Sequence, residues 1–450
     1  MPAPFVVAHL QLGLLLQSVN APLAGGAAGA PGERAAVFLT NALTGWEPEE
    51  GPKQRLLFQE LEEERDAAER VKRDAPILVV LGNPPYYGSA GMAVDEERSL
   101  TTAYRTTTRA PRPRGQGLND PYVRFFRMAE RRICERTGRG VVSFITNYSW
   151  LDKSSFPGMR ERFLDAFDRI WIDNLNGDSR ATGKLTPDGE PDPSVFSTAL
   201  NPEGIQVGTA IATLVRRPAH EPATVIRYRD LWGREKRADL AASKDHDGRA
   251  PYEEVEPVLD LGLVFRPGQV TADFLAWPRL VDLFPRFVPG VQTKRDDVVT
   301  DIDRNVLVER MARYFDPSVD HQEMAALSPD AMRRTTQFDP VATREYLQRR
   351  GILADHLVRH VYRPFDLRWI YWEPETGLLG RKSPAYFPEV FDGNRWLVTQ
   401  QTARRGWQPP QHIRSLGALH LVESSASMFP LLLRAPDEAV VQQVLFDDGR

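Results

Sequence analysis

Ile77-Leu78-Val79-Val80-Leu81-Gly82-Asn83-Pro84-Pro85-Tyr86 is the stretch from which the fold is read. Its five leading apolar residues are rich in β-branched side chains and predict a buried strand of the parallel type, because strands covered on both faces are continuously apolar. Gly82 and the two prolines then stop the strand abruptly, since proline fixes φ and has no N–H for a ladder. The break puts an amide, a rigid carbonyl-bearing turn and an aromatic ring at the C-terminal edge of a sheet, where open α/β sheets bind ligands. A plain strand-ending turn also favours Asn and Pro. The second proline and the tyrosine are harder to reduce to that.

Upstream, Phe5 to Leu16 is apolar but contains His9 and Gln11, and no Lys or Arg precedes it. A buried amphipathic helix over 5–19 is therefore expected rather than a signal peptide. Ala21 to Gly32 reads as a loop. Its glycines at 25, 26, 29 and 32 lack G-x-G-x-x-G spacing and follow a helix, which argues against a nucleotide cradle. Ala35 to Thr40 reads as a strand ending at Asn41, and Gln54 to Arg73 as a helix with a solvated acidic face.

Downstream, Ser99 to Asn119 has no acidic residue and holds Arg105, Arg109, Arg112 and Arg114. It fits either a solvated surface loop or a mobile loop whose guanidinium and hydroxyl groups contact phosphates. Asp120 and Pro121 open a helix running to about Arg136. Strands follow at 140–146, 169–173 and 207–215, with a helix over 158–167 and a polar loop over 177–193. The alternation predicts a doubly wound α/β core over 1–217. A connecting segment is expected at 218–255, then an α+β domain over 256–450. There arginines alternate with aromatics, as in Tyr362-Arg363-Pro364-Phe365-Asp366-Leu367-Arg368-Trp369, a pattern suited to a mixed core and its rim or to DNA grooves.

At 450 residues the chain has room for two or three domains. A net charge of −4 excludes a globally basic nucleic-acid binder, so any such surface must be local. Cys134 is the only cysteine, which excludes an intrachain disulfide and fits a reducing cytosol. No apolar run reaches membrane-spanning length. Zinc spacing, a P-loop, a Ser/His/Asp elbow and internal repeats are all missing.

Asn83-Pro84-Pro85-Tyr86 resembles the catalytic signature of S-adenosylmethionine-dependent amino-methyltransferases, particularly those acting on adenine N6. Further segments widen the resemblance to the methyltransferase and specificity portion of single-polypeptide type ISP restriction–modification enzymes. Pro4 to Leu10, Phe38-Leu39-Thr40-Asn41, Asp120-Pro121-Tyr122, Ser143 to Asn147 and Val207 to Ile211 follow in that family's order. Phe196 lies where related enzymes place an aromatic against a flipped base. Gly290 to Asp297 and Tyr362 to Asp366 are similar to segments of the specificity region, which makes Lys294, Arg295 and Arg363 DNA-contact candidates beside the four loop arginines.

The resemblance implies a Rossmann-like core, a target-recognition domain, S-adenosylmethionine as cofactor and double-stranded DNA as partner, with no metal. An exocyclic ring amine is a poor nucleophile because its lone pair is delocalised. Accepting its N–H groups on the Asn83 oxygen and the Pro84 carbonyl would draw the nitrogen towards sp³ geometry. Pro85 would hold the turn, while Tyr86 and Phe196 clamp the extruded base. The family's glycine-rich cofactor loop and acidic ribose ligand are expected upstream of residue 1, leaving Asn41 as the cofactor contact carried over. An upstream nuclease, helicase or cofactor-loop segment is an expected partner. The same signature serves RNA adenines and protein glutamines, and a non-catalytic DNA-binding fragment is the other alternative.

Overall fold

The computed structural model describes residues 2–25, 32–46, 58–86, 95–243, 251–268, 270–401, 407–423 and 425–434. The chain divides into two compact units, Met1–Val270 and Thr271–Arg450.

Unit 1 is built on six strands: β1 (Val79–Gly82), β2 (Gly140–Asn147), β3 (Arg169–Asn176), β4 (Thr209–Arg216), β5 (Ile226–Asp230) and β6 (Glu253–Val255). Their order across the sheet is β1-β2-β4-β3-β5-β6. β1 runs parallel to β2 and β3 parallel to β5, while β4 is antiparallel to both its neighbours. Register explains the packing. Ala212 lies opposite Phe144 on one side and Ile172 on the other, so a methyl group separates two bulky side chains on one buried face. Phe126, from the helix Pro121–Glu130, meets Phe144 at 5.2 Å, Phe163 at 5.3 Å and Trp150 at 5.4 Å between ring centroids. Truncating such a ring typically costs about 3–5 kcal/mol.

The expected α/β core is present, with five local departures. β1 pairs in parallel as anticipated but is not buried: Val79 is 54% and Leu81 75% exposed. Among the described residues it has one neighbour, and an unbroken apolar run does not distinguish an edge strand from a central one. The first helix, Pro2–Ser18, leaves Val6, Leu10 and Leu15 exposed. Its apolar residues run around the axis, so no single stripe can be covered. Residues 35–40 form no strand. Their neighbourhood is held instead by Lys72, whose ammonium donates to Thr40 Oγ1 at 2.8 Å and to the carbonyls of Asn41 and Thr44 at 2.7 and 2.8 Å. The helix expected to reach Arg136 is α-helical over Pro121–Glu130 and π-helical over Arg131–Thr137, stopped by Gly138 at φ +76. Finally, 218–255 is no linker: β5 and β6 extend the sheet. Gln59–Asp74 is helical as expected. Gly26, Gly29 and residues 54–57 lie outside the described residues.

Unit 2 contains two four-stranded sheets. One joins β8 (Thr300–Asp301), β9 (Leu357–Arg363), β10 (Asp366–Tyr371) and β13 (Leu416–Gly417). The other joins β7 (Val288–Pro289), β11 (Trp396–Gln400), β12 (Gln411–Ile413) and β14 (Ala426–Pro430). Trp372, Trp396, Tyr314, Tyr371 and Tyr386 fill its core. Helices start on side-chain caps: Asp303 accepts from Asn305 N and Asp320 from Glu323 N, both at 2.7 Å.

Candidate active site

Parallel strands deliver their C-terminal ends to one edge of the unit 1 sheet. Register places Asn147, Asn176 and the start of β4 at Thr209 side by side there, with Asp230 next along. Gly82 pairs with Phe144, so Asn83 emerges at this edge too. Asn83 is exposed and its carboxamide has no hydrogen-bond partner among the described residues. Pro84 is buried and Pro85 exposed, which fixes the turn by anchoring one ring and leaving the other outside. Tyr86 is half-buried against the core. Its hydroxyl is enclosed with no partner among the described residues, and burial pushes its pKa up to about 12.

The loop between β3 and β4 carries Phe196, which is half-buried. β4 is two strand spacings from β1, about 10 Å. Two carboxylates fix this loop. Asp178 accepts from Arg180 N and Ala181 N at 2.7 Å, Gly208 N at 3.0 Å and the Tyr148 hydroxyl at 3.0 Å. Burial alone would raise the Asp178 pKa, and these N–H bonds outweigh it and hold the carboxyl below its usual range. Asp192, fully buried, pairs with Lys236 at 2.6 Å and accepts from Gly177 N and Gly233 N. Arg237 then donates to the Val195 carbonyl beside Phe196. Gly208 is required by close approach, because a Cβ there would fall 1.4 Å from a Tyr148 ring carbon. Little in the local sequence marks Tyr148, Asp178, Asp192 or Lys236. The one local signal was Gly177-Asp178-Ser179, a turn-forming triplet.

Asn41 lines a cavity of about 420 Å³ with Leu39, Thr40, Gly45, Lys72 and Glu96. Its amide is already committed: Nδ2 donates to Glu97 at 2.6 Å and Oδ1 accepts from Leu43 N at 3.0 Å. Among the described residues no strand, glycine loop and helix come together beside the Asn83 turn. No group of His, Cys, Asp or Glu suited to a metal ion occurs among the described residues.

The arginine-rich segment is not a loose loop. Tyr104 is fully buried and donates to Glu130 at 2.7 Å, and Arg114 N bonds the Ser154 carbonyl. Arg109 is spent on Glu161 and Asp165, and Arg105 donates to Asn119 at 2.6 Å. Arg112 and Arg114 present exposed side chains. In unit 2, Arg295 is withdrawn from the surface: it is buried, donates to the carbonyls of Leu378 and Gly377, and lies 3.8 Å from the Phe338 ring centroid. Lys294 and Arg363 are exposed.

Comparison with known proteins agrees with this architecture. Residues 282–448 match the family described as the Type ISP C-terminal specificity domain. Across both units the fold is similar to the ATP-dependent Type ISP restriction-modification enzyme LlaBIII bound to DNA, at TM-score 0.60 and 18% identity, over 92% of this chain and 27% of that one. A DrdV–DNA complex aligns at TM-score 0.57 and 20% identity, over 86% of this chain and 39% of that one. A nuclease-deletion mutant of the Type ISP enzyme LlaGI with a DNA substrate mimic gives 0.56 and 17%, over 85% and 38%. This chain thus has the fold of Type ISP restriction–modification enzymes and spans well under half the length of each of these relatives. No curated protein matches it. No helix among the described residues is long and apolar enough to cross a membrane.

Proposed function

We propose that this chain is the modification and target-recognition portion of a restriction–modification enzyme that methylates adenine N6 in double-stranded DNA. The observation that carries this is the Asn83 turn: an exposed carboxamide with no partner among the described residues, on a proline-locked strand end, beside a half-buried aromatic ring. Asn83 Oδ1 and the Pro84 carbonyl accept the two N–H groups of the target amine and aim its lone pair. Tyr86 and Phe196 supply ring faces for a base drawn out of the duplex, and the Asp178 and Asp192 anchors keep the Phe196 loop in place. S-adenosylmethionine, when bound, supplies an electrophilic methyl group on a sulfonium leaving group. The committed amide of Asn41 favours one second reading, a DNA-binding chain that does not catalyse.

The test offers labelled S-adenosylmethionine together with unmethylated bacterial genomic DNA, RNA or protein extract. N6-methyladenine in the DNA is expected, falling by about a hundredfold or more in Asn83→Ala. Label in RNA or in glutamine, or undiminished label in Asn83→Ala, would overturn the reading. DNA retention without any label would favour the second one.

A further inference from the structure

The β9–β10 hairpin turns on Pro364 and Phe365. Phe365 is fully exposed, at 108% relative accessibility, and its φ is +64. This is the left-handed region, which glycine or asparagine ordinarily occupies at the third position of such a turn. Pro364 locks the preceding φ, so the ring stands on a short rigid tip that does not fold back. Exposed aromatic bulk and an unfavourable backbone coincide at one residue, and folding needs neither.

The hairpin behind the tip carries cations stacked on aromatic rings. Arg363 lies 4.4 Å from the Tyr362 ring centroid, and Arg359 and Arg304 lie 4.4 and 5.5 Å from that of Trp369. Among the described residues none of these three guanidinium groups has a carboxylate within ion-pair distance, whereas Arg368 pairs with Asp366 at 2.8 Å. Stacking on aromatic faces pre-orients them while leaving their charge unspent. A protein-docking site would present a contiguous apolar patch. Asp366, opposite Arg363 at the tip, is held by Arg368, and one projecting ring on a hairpin that also carries Arg359 and Arg363 suits a stack of bases beside a phosphate backbone.

We propose that Phe365 is a wedge that inserts between stacked base pairs of double-stranded DNA, while Arg304, Arg359 and Arg363 hold flanking phosphates. This rests on the reading of unit 2 as a DNA-contacting domain and adds the element that deforms the duplex.

The test uses the full chain on closed-circular plasmid, with unwinding read from the linking-number distribution after topoisomerase relaxation. Affinity for a mixed-sequence duplex is followed by fluorescence anisotropy. Wild type is expected to unwind the plasmid. Phe365→Ala should lose the unwinding and bind about tenfold or more weakly, and Phe365→Trp should keep both properties. Phe365→Gly should also lose them while its Tm rises, since glycine accepts φ +64 freely, and that rise excludes unfolding as the cause. Replacing the three arginines by glutamine should flatten the salt dependence by as much as about three in slope. Binding without unwinding, or Phe365→Ala behaving as wild type, overturns the wedge and leaves the DNA reading standing. Failure of wild type to bind duplex overturns both. Retention on polyglutamate but not on DNA makes the tip a protein-docking element and overturns the wedge.

Discussion

Tyr86 keeps its ring packed on the core and its hydroxyl enclosed, with no partner among the described residues. An enclosed hydroxyl that bonds nothing costs about 1–3 kcal/mol, so Tyr86→Phe should stabilise unit 1 by about 1 kcal/mol. Stacking uses the ring, so Phe should also support base capture where Ala does not. Thermal denaturation and 2-aminopurine fluorescence read the two effects, and equal capture by the Phe and Ala variants would remove Tyr86 from the clamp. His360 gives a second prediction, one of pH. It is fully buried, and burial lowers its pKa to about 4. Its Nδ1 lies 3.2 Å from the Leu416 carbonyl, so the neutral ring protonated at Nδ1 donates there. The folded-state value lies below the unfolded one, near 6.5, so the unfolded chain takes up the proton first. The stability that depends on a neutral His360 is whole above pH 6.5 and is lost as pH falls towards 4, by about 3 kcal/mol. His360→Asn, which keeps a donor without titrating, should flatten that loss in denaturant titrations at pH 7, 5.5 and 4.5. Identical pH profiles for the two proteins would show that the acid sensitivity lies elsewhere.

At the level of elements, Arg160 ties three pieces of unit 1 together. From the helix Pro157–Ala166 it donates to Trp150 O at 2.7 Å, Lys153 O at 3.1 Å and Gly262 O at 2.8 and 3.0 Å. Burial lowers its pKa to about 10. Arg160→Met keeps much of the bulk but strands these carbonyls, and should cost about 3–5 kcal/mol by urea titration. A loss below about 1 kcal/mol would mean water replaces the guanidinium. Such a tie was invisible in sequence, because Arg160 and Gly262 are distant along the chain. β2 and β4 are legible because buried and half-exposed side chains alternate along them, and β3 because a β-branched and aromatic run, Ile170-Trp171-Ile172, follows directly on a helix and ends in polar residues. β1 was legible as a parallel strand but not as an edge, since position in a sheet depends on partners that local pattern does not encode. The Asn83 turn stood out through proline chemistry. Asp178 and Asp192 did not, because a carboxylate that fixes a loop looks like any other turn residue until the amides it accepts from are placed. Arg109 and Arg295 show the same limit: composition marks a cation, and only packing shows the carboxylates and carbonyls it meets.

For the whole molecule, each unit has its own hydrophobic cluster, one around Phe126, Phe144 and Phe163 and the other around Trp372, Trp396 and Tyr314. Calorimetry should therefore resolve two transitions. Lowering the pH from 7 to 5 should depress the one belonging to 271–450 first, since that unit holds His360. A single transition moving as one with pH would refute this independence. Charge is also local rather than global. The chain is net −4, yet Arg73, Arg132, Arg136 and Arg139 wall a cavity of about 740 Å³ at the N-terminal edge of β1 and β2. The sheet order carries a consequence for biosynthesis. β4 is fourth in the chain but third across the sheet, the one strand that bridges β2 to β3. A ribosome adding roughly 5–20 residues per second releases β2 and β3 seconds before their shared partner exists. Until residue 216 emerges, the nascent chain holds two strands that cannot yet be joined, and a chaperone has its clearest reason to attend this protein in that interval.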